Sequence, residues 1–150
     1  MFINEVELFK GIPSHFINKI ATDAEEKVFP EGHVLFEEGD FADYLYVLEE
    51  GEIDIRIQVQ DRFFFRVNQP GQLFGWSALV EPNRYTAGAR TLKESRVIKI
   101  DADLLRGLFE KYPSEGLIIM KRLAGVIGSR LVKCYQETIT PPGASAEGRR

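Results

Sequence analysis

Cysteine is nearly absent from this 150-residue chain. Cys134 stands alone, so no internal disulfide can form, and a reducing, cytoplasmic setting is expected. Histidine is almost as scarce. His15 and His33 lie far apart, and without a cluster of His and carboxylate ligands no metal site is expected. No apolar run approaches the ~20 residues that span a bilayer. The opening Met-Phe-Ile-Asn-Glu-Val-Glu lacks the basic region and apolar core of a secretion signal, so no membrane partner is expected. Basic charge is not in excess either. The net charge of −4 leaves no electrostatic footprint for nucleic acid. No serine or cysteine sits in a nucleophile motif and no His–carboxylate set is evident, so no enzymatic activity is expected.

Aromatics are plentiful. Eleven Phe and five Tyr in a chain that is 44% hydrophobic favour one β-rich core filled by rings. Charge is unevenly spread. Residues 1–60 carry 14 acids and 4 bases, whereas residues 61–150 carry 9 acids and 15 bases. Two solvated faces account for this, and so does an acidic surface that meets a basic partner.

Periodicity divides the chain. Val6, Phe9, Ile12, Phe16, Ile17 and Ile20 recur at helical spacing, broken at Gly11-Ile12-Pro13, with Pro13-Ser14 suited to start a second helix. From Glu26 to Ile100 short β runs alternate with turns at Pro30-Glu31-Gly32, Glu38-Gly39-Asp40, Glu50-Gly51-Glu52 and Gln69-Pro70-Gly71. Tyr85 to Leu92 reads as one such run. About eight strands at this spacing imply a sandwich or barrel, and the flanking helices make the domain α+β with a jelly-roll centre. Asp101 suits the N-cap of a helix through Leu104 to Tyr112.

A long helix follows over about 114–136. Leu117, Met120, Ala124, Ile127, Leu131 and Cys134 step as a heptad seam, and Ile119, Leu123 and Val126 widen the apolar face. Packing on its own barrel and pairing with a second helix both fit this pattern. Residues 1–137 are read as one domain and 138–150 as a flexible tail, containing Pro141-Pro142-Gly143. The dozen residues after the helix are too few for a helix-turn-helix module, and no nucleic-acid partner is expected.

The segment from Gly71 to Arg90 carries the chemistry. Gly71 and Gly75 bracket Phe74 at a strand end, a short apolar helical turn follows over Ser77–Val80, and Arg84 returns at the next β run. Backbone N–H groups on one side and a guanidinium on the other suit an anion.

These pieces, in this order, resemble the cyclic-nucleotide-binding domain of the catabolite activator protein superfamily, over about residues 5–136. The markers are Pro30 to Asp40, Tyr46, Gly51-Glu52-Ile53-Asp54-Ile55, Gly71-Gln72-Leu73-Phe74-Gly75, and Ala78-Leu79 followed by Arg84. The resemblance implies an eight-stranded antiparallel β jelly-roll barrel flanked by N-terminal and C-terminal helices, with the last helix pairing in a homodimer or with a partner protein. It implies that backbone N–H groups at Gly75 and Ala78 face a cyclic phosphate, that Arg84 pairs with that phosphate, and that Tyr85 stands where a small residue is usual. Trp76 matches a glutamate that accepts a hydrogen bond from the ribose 2′-hydroxyl. Indole only donates, and an unpaired buried hydroxyl costs ~1–3 kcal/mol. Ser77 offers a hydroxyl one position away, and Thr86 closes the segment.

Two functions follow. The first is a regulatory ligand-sensing module that binds a nucleotide (cAMP or cGMP) or another small anion weakly or with altered specificity. Gly75, Trp76, Ser77, Ala78, Arg84, Tyr85 and Thr86 are its ligand-binding residues, and the signal leaves through the C-terminal helix. The second is a nucleotide-free scaffold of the same fold, its pocket plugged by Trp76 and Tyr85.

Overall fold

Glycine turns divide the middle of the chain into strands short enough to fold back on one another. The structure, a computed structural model, describes residues 3–57 and 62–139. Its strands are β1 (Glu25–Phe29), β2 (Val34–Phe36), β3 (Tyr44–Glu50), β4 (Ile53–Ile57), β5 (Arg62–Val67), β6 (Leu73–Phe74), β7 (Gly88–Thr91) and β8 (Ser95–Asp101). The helices are α1 (Ser14–Asp23), α2 (Ala102–Lys111) and α3 (Pro113–Ile139). The strands form two four-stranded antiparallel sheets, ordered β1-β8-β3-β6 and β2-β7-β4-β5, as expected of a jelly roll.

Alternation along β3 explains the layering. Leu45 and Val47 face a core shared with Phe9, Phe16, Ile20, Leu105 and Ile119, beneath the helices. Tyr46 and Leu48 face the second core, between the sheets, with Phe36, Ile53, Phe65 and Phe74. A strand covered on both faces loses the usual apolar–polar alternation, which is why Tyr44–Leu48 reads as a continuous apolar run. Gly51 ends this strand at φ +121°, where a Cβ would come within 2.6 Å of the Ser95 backbone. Only glycine fits there.

The expected run from Tyr85 to Leu92 divides in two. Regular pairing begins at Gly88, whereas Arg84 and Tyr85 pair with the turn at residues 39–42 through an isolated antiparallel bridge. Gly39 N–H donates to Tyr85 O (2.8 Å) and Tyr85 N–H to Asp40 O (2.9 Å). Asp101 caps α2, its carboxylate accepting from the N–H groups of Asp103 (2.7 Å) and Leu104 (3.3 Å). Such a cap stabilises a helix by about 1 kcal/mol. Proline opens α3, where its missing N–H costs nothing. Thr138 and Ile139 belong to this helix, and the rest of the expected tail, 140–150, lies outside the described residues.

The long helix has two faces. Gly116, Ile119, Leu123 and Arg130 are buried against the domain. The heptad seam lies about 100° round the helix from them. Leu117 and Leu131 on that seam are 57% and 44% exposed, and Tyr135 nearby is 56% exposed.

Candidate functional site

The Gly71–Thr86 segment is held from several directions. At Gly75 the backbone takes φ +75°, and a Cβ there would meet Tyr46 Cδ2 at 3.2 Å and Tyr44 O at 3.3 Å. A side chain would be both strained and crowded. One turn of 3₁₀ helix follows at Trp76–Ala78. Asn83 closes the turn in the left-handed region, at φ +62°. Its Nδ2 donates to the carbonyls of Ser77 (3.1 Å), Ala78 (3.2 Å) and Val80 (3.2 Å). Arg106 of α2 donates from Nη1 to Ala78 O at 2.6 Å. Neither latch is conspicuous in the sequence. The signals were an asparagine in the turn after Pro82 and an arginine one helical turn past an N-cap, both common enough to pass unremarked.

Beside this turn lies a cavity of about 30 Å³, lined by Gly75, Trp76, Ser77, Tyr85, Thr86 and Arg130 within an aromatic wall. Its volume is roughly a tenth of the ~300 Å³ at which small-molecule pockets begin. No carboxylate lines it. Ser77 and Thr86 contribute hydroxyls that have no hydrogen bond among the described residues.

Arg130 is the residue the sequence reading missed. It is only 6% exposed. Its guanidinium carbon lies 4.4 Å from the centroid of the Phe65 ring and 4.9 Å from that of Trp76. No ion pair or hydrogen bond reaches it among the described residues. Burial pushes its pKa down to about 10, because desolvation disfavours the charged form. The two ring faces offset part of that cost, since a desolvated cation over an aromatic ring gains about 2 kcal/mol. The signal was present in the sequence. Ile119, Leu123, Val126 and Arg130 are spaced 4-3-4, so a cation continues the apolar stripe that faces the barrel.

The structure gathers Gly75, Trp76, Ser77, Tyr85 and Thr86 around the cavity, whereas Arg84 and Ala78 stand apart. Tyr85 points into the interior, and its neighbour Arg84 is exposed because side chains alternate along an extended segment. The Arg84 guanidinium donates to Gly39 O at 2.9 Å and lies 4.1 Å from the centroid of the Phe41 ring. Ala78 is fully buried, and its N–H donates to Gly75 O at 3.2 Å.

Tyr85 stacks on Phe36 (centroids 3.6 Å apart) and donates its hydroxyl to Tyr44 O at 2.7 Å. Burial first, and the neighbouring Tyr46 second, push its phenol pKa far above 10. Trp76 is half-buried and packs against the core beneath the helices.

Phe65 and Arg130 also line a second cleft of about 720 Å³, between α3, the β5–β6 turn and the N-terminal segment, with Glu5, Glu7, Lys10, Arg122 and Lys133. Arg122 is engaged there. Its Nη1 donates to the carbonyls of Lys10 (2.5 Å), Leu8 (3.3 Å) and Glu7 (3.4 Å). Among the described residues, no helix is long and apolar enough to cross a membrane, and no three His, Cys, Asp or Glu residues cluster as metal ligands.

The sequence profile described as the cyclic nucleotide-binding domain matches residues 26–112. A CRP-like cAMP-activated global transcriptional regulator of Mycobacterium tuberculosis is 28% identical over 126 residues, which are 83% of this chain and 54% of that protein. The cAMP-dependent protein kinase type II regulatory subunit of Drosophila melanogaster is 30% identical over 135 residues, 89% of this chain and 35% of that one. This chain therefore spans about half the length of the first relative and about a third of the second. A Geobacter metallireducens GS-15 protein named for cyclic nucleotide binding has a crystal structure that superposes with a TM-score of 0.78 at 32% identity, over 86% of this chain and 95% of its own.

Proposed function

The chain belongs to the cyclic nucleotide-binding domain family, and on that premise we propose that it is a regulatory module with altered ligand recognition, signalling through α3. A nucleotide or related anion enters between the Gly75–Thr86 segment and α3, with Gly75, Trp76, Ser77, Tyr85 and Thr86 as its immediate surroundings and Ala78 buried behind them. Arg84 lies just outside that wall and reaches the ligand only by leaving Gly39 O. One observation carries the reading: Trp76 lines the cavity and no carboxylate does. A ribose hydroxyl seated there meets no strong acceptor, so cAMP and cGMP bind weakly and ligands without that demand are favoured. The ligand shifts α3 because it touches that helix differently in its two positions. The outer seam of α3, with Leu117 and Leu131 exposed, then passes the shift to a second copy or a partner in the cytoplasm.

The cavity of about 30 Å³ favours a second reading, a scaffold of the same fold that binds no nucleotide. Isothermal titration separates the two. Heat with cAMP, cGMP or a cyclic dinucleotide supports the sensing module. No heat with any of the three leaves the scaffold.

A further inference from the structure

The sensing reading needs a partner for the ligand's negative charge, and the residue expected in that role, Arg84, is exposed and bound to Gly39 O. We infer that Arg130 of α3 carries the charge of the bound anion, with the Ser77 and Thr86 hydroxyls as its other donors, and that the anion is a phosphoryl group. The inference rests on the sensing reading for the site and names the chemistry it accepts.

Three observations converge. Arg130 is 6% exposed as a residue and has no ion pair among the described residues, so its charge is met in the protein by two ring faces and by no anion. Two hydroxyls without a protein partner among the described residues line the same cavity, that of Ser77 on a buried residue and that of Thr86 on an exposed one, and no acid lines it. The three donors come from separate elements: Ser77 from the 3₁₀ turn, Thr86 from the segment before β7, and Arg130 from α3. Donors converging from three sides suit a tetrahedral oxyanion better than a planar carboxylate. The guanidinium fork also matches paired phosphoryl oxygens.

Size supplies the coupling. A cavity of about 30 Å³ admits the oxygens of a phosphoryl group but not a nucleoside. The remainder of a nucleotide enters only as Arg130 leaves its place between Phe65 and Trp76, toward the cleft of about 720 Å³ that it also lines. Anion binding and movement of α3 are then one event at one side chain.

Arg130→Met is the discriminating variant. It replaces an unpaired buried cation by an apolar side chain of similar length, so the free protein melts at or above the wild-type temperature. A purely structural arginine would give the opposite result. Titrations with cAMP, cGMP, inorganic phosphate and acetate are run on wild type, Arg130→Met and Arg84→Ala, and read by calorimetry and by Trp76 emission. The expected result is that cyclic nucleotide and phosphate bind wild type and acetate does not. Arg130→Met weakens binding about 10- to 100-fold, and Arg84→Ala binds as wild type does.

If cyclic nucleotides bind wild type and Arg130→Met alike while Arg84→Ala loses them, the inference is overturned and the sensing reading stands. If inorganic phosphate binds through Arg130 but no cyclic nucleotide does, the inference stands and the nucleotide reading fails. If none of the probes binds wild type, both fall. Should Arg130→Met not fold, Arg130→Lys and the Ser77→Ala/Thr86→Val double variant decide in its place, each expected to weaken binding several-fold at an unchanged melting temperature.

Discussion

The guanidinium carbon of Arg130 lies 4.9 Å from the centre of the Trp76 ring, so a cation on the last helix covers the residue expected where a ribose-binding glutamate is usual. Trp76 is also the only tryptophan. Its emission therefore reports on the contact between the turn and α3, without added label.

On the proposed placement of the ribose, Trp76→Glu supplies the hydrogen-bond acceptor that indole lacks. Removing an unpaired buried hydroxyl is worth ~1–3 kcal/mol, so cAMP affinity rises about 5- to 150-fold. Calorimetric titration checks this. Unchanged affinity would show that the sugar site is closed by shape and not by chemistry.

Asn83 combines two roles, and two substitutions separate them. Asn83→Ala loses the amide contacts to Ser77, Ala78 and Val80 and also places an ordinary residue at φ +62°. Asn83→Gly loses only the contacts. Thermal melting should place the glycine variant about 1 kcal/mol below wild type and the alanine variant about 1 kcal/mol lower again. Equal losses would mean that the backbone conformation is not strained for alanine.

Two tyrosines set an alkaline limit. Burial, with Tyr44 and Asp43 as lesser causes, pushes Tyr46 up to about 12, and Tyr85 goes higher still. Both values lie above the ~10 of an unfolded tyrosine. The folded state therefore holds these protons longer, and the stability they supply is complete below pH 10 and lost as pH rises through 12. The absorbance of the phenolates should show Tyr46 and Tyr85 ionising late, with unfolding setting in over the same range. Tyr85→Phe should leave one late tyrosine. Ionisation of both Tyr46 and Tyr85 near pH 10 would contradict the burial.

Leu131→Glu tests the outer seam of α3. The side chain is 44% exposed in the single chain, so the substitution costs the monomer little. Sedimentation velocity should show wild type as a dimer and the variant as a monomer with the same melting temperature when dilute. A monomeric wild type at about 100 μM would remove the seam from consideration.

Much of the architecture was legible because turn chemistry is local. The glycines that end β3 and open the Trp76 turn mark positions that favour a residue without Cβ, the helix start at Asp101 follows from capping, and that at Pro13-Ser14 follows from the break at Gly11-Ile12-Pro13. The split of the Tyr85–Leu92 run was not legible, because pairing with residues 39–42 is a long-range choice. Arg84 turned outward for the same reason: the bridge at Phe41 fixed which neighbour faces in, and Tyr85, with a ring to bury, took that side. Arg130 was hidden by its type. A cation at helical spacing reads as solvated surface unless the aromatic rings that receive it, Phe65 and Trp76, are known to be opposite.

Arg122 fastens α3 to the N-terminal carbonyls of Glu7, Leu8 and Lys10, eight residues before Arg130. Eight helical residues are roughly 12 Å, a little over two turns. The helix is thus tethered at Arg122, and at Arg130 it rests on the Phe65 and Trp76 rings. On the proposed signalling through α3, a lever hinged at Arg122 would turn a small displacement at Arg130 into a wider one at Tyr135, beside the exposed seam. Cutting the tether by Arg122→Ala would let the rod slide instead of pivot, and ligand occupancy would then no longer set the angle at its tip.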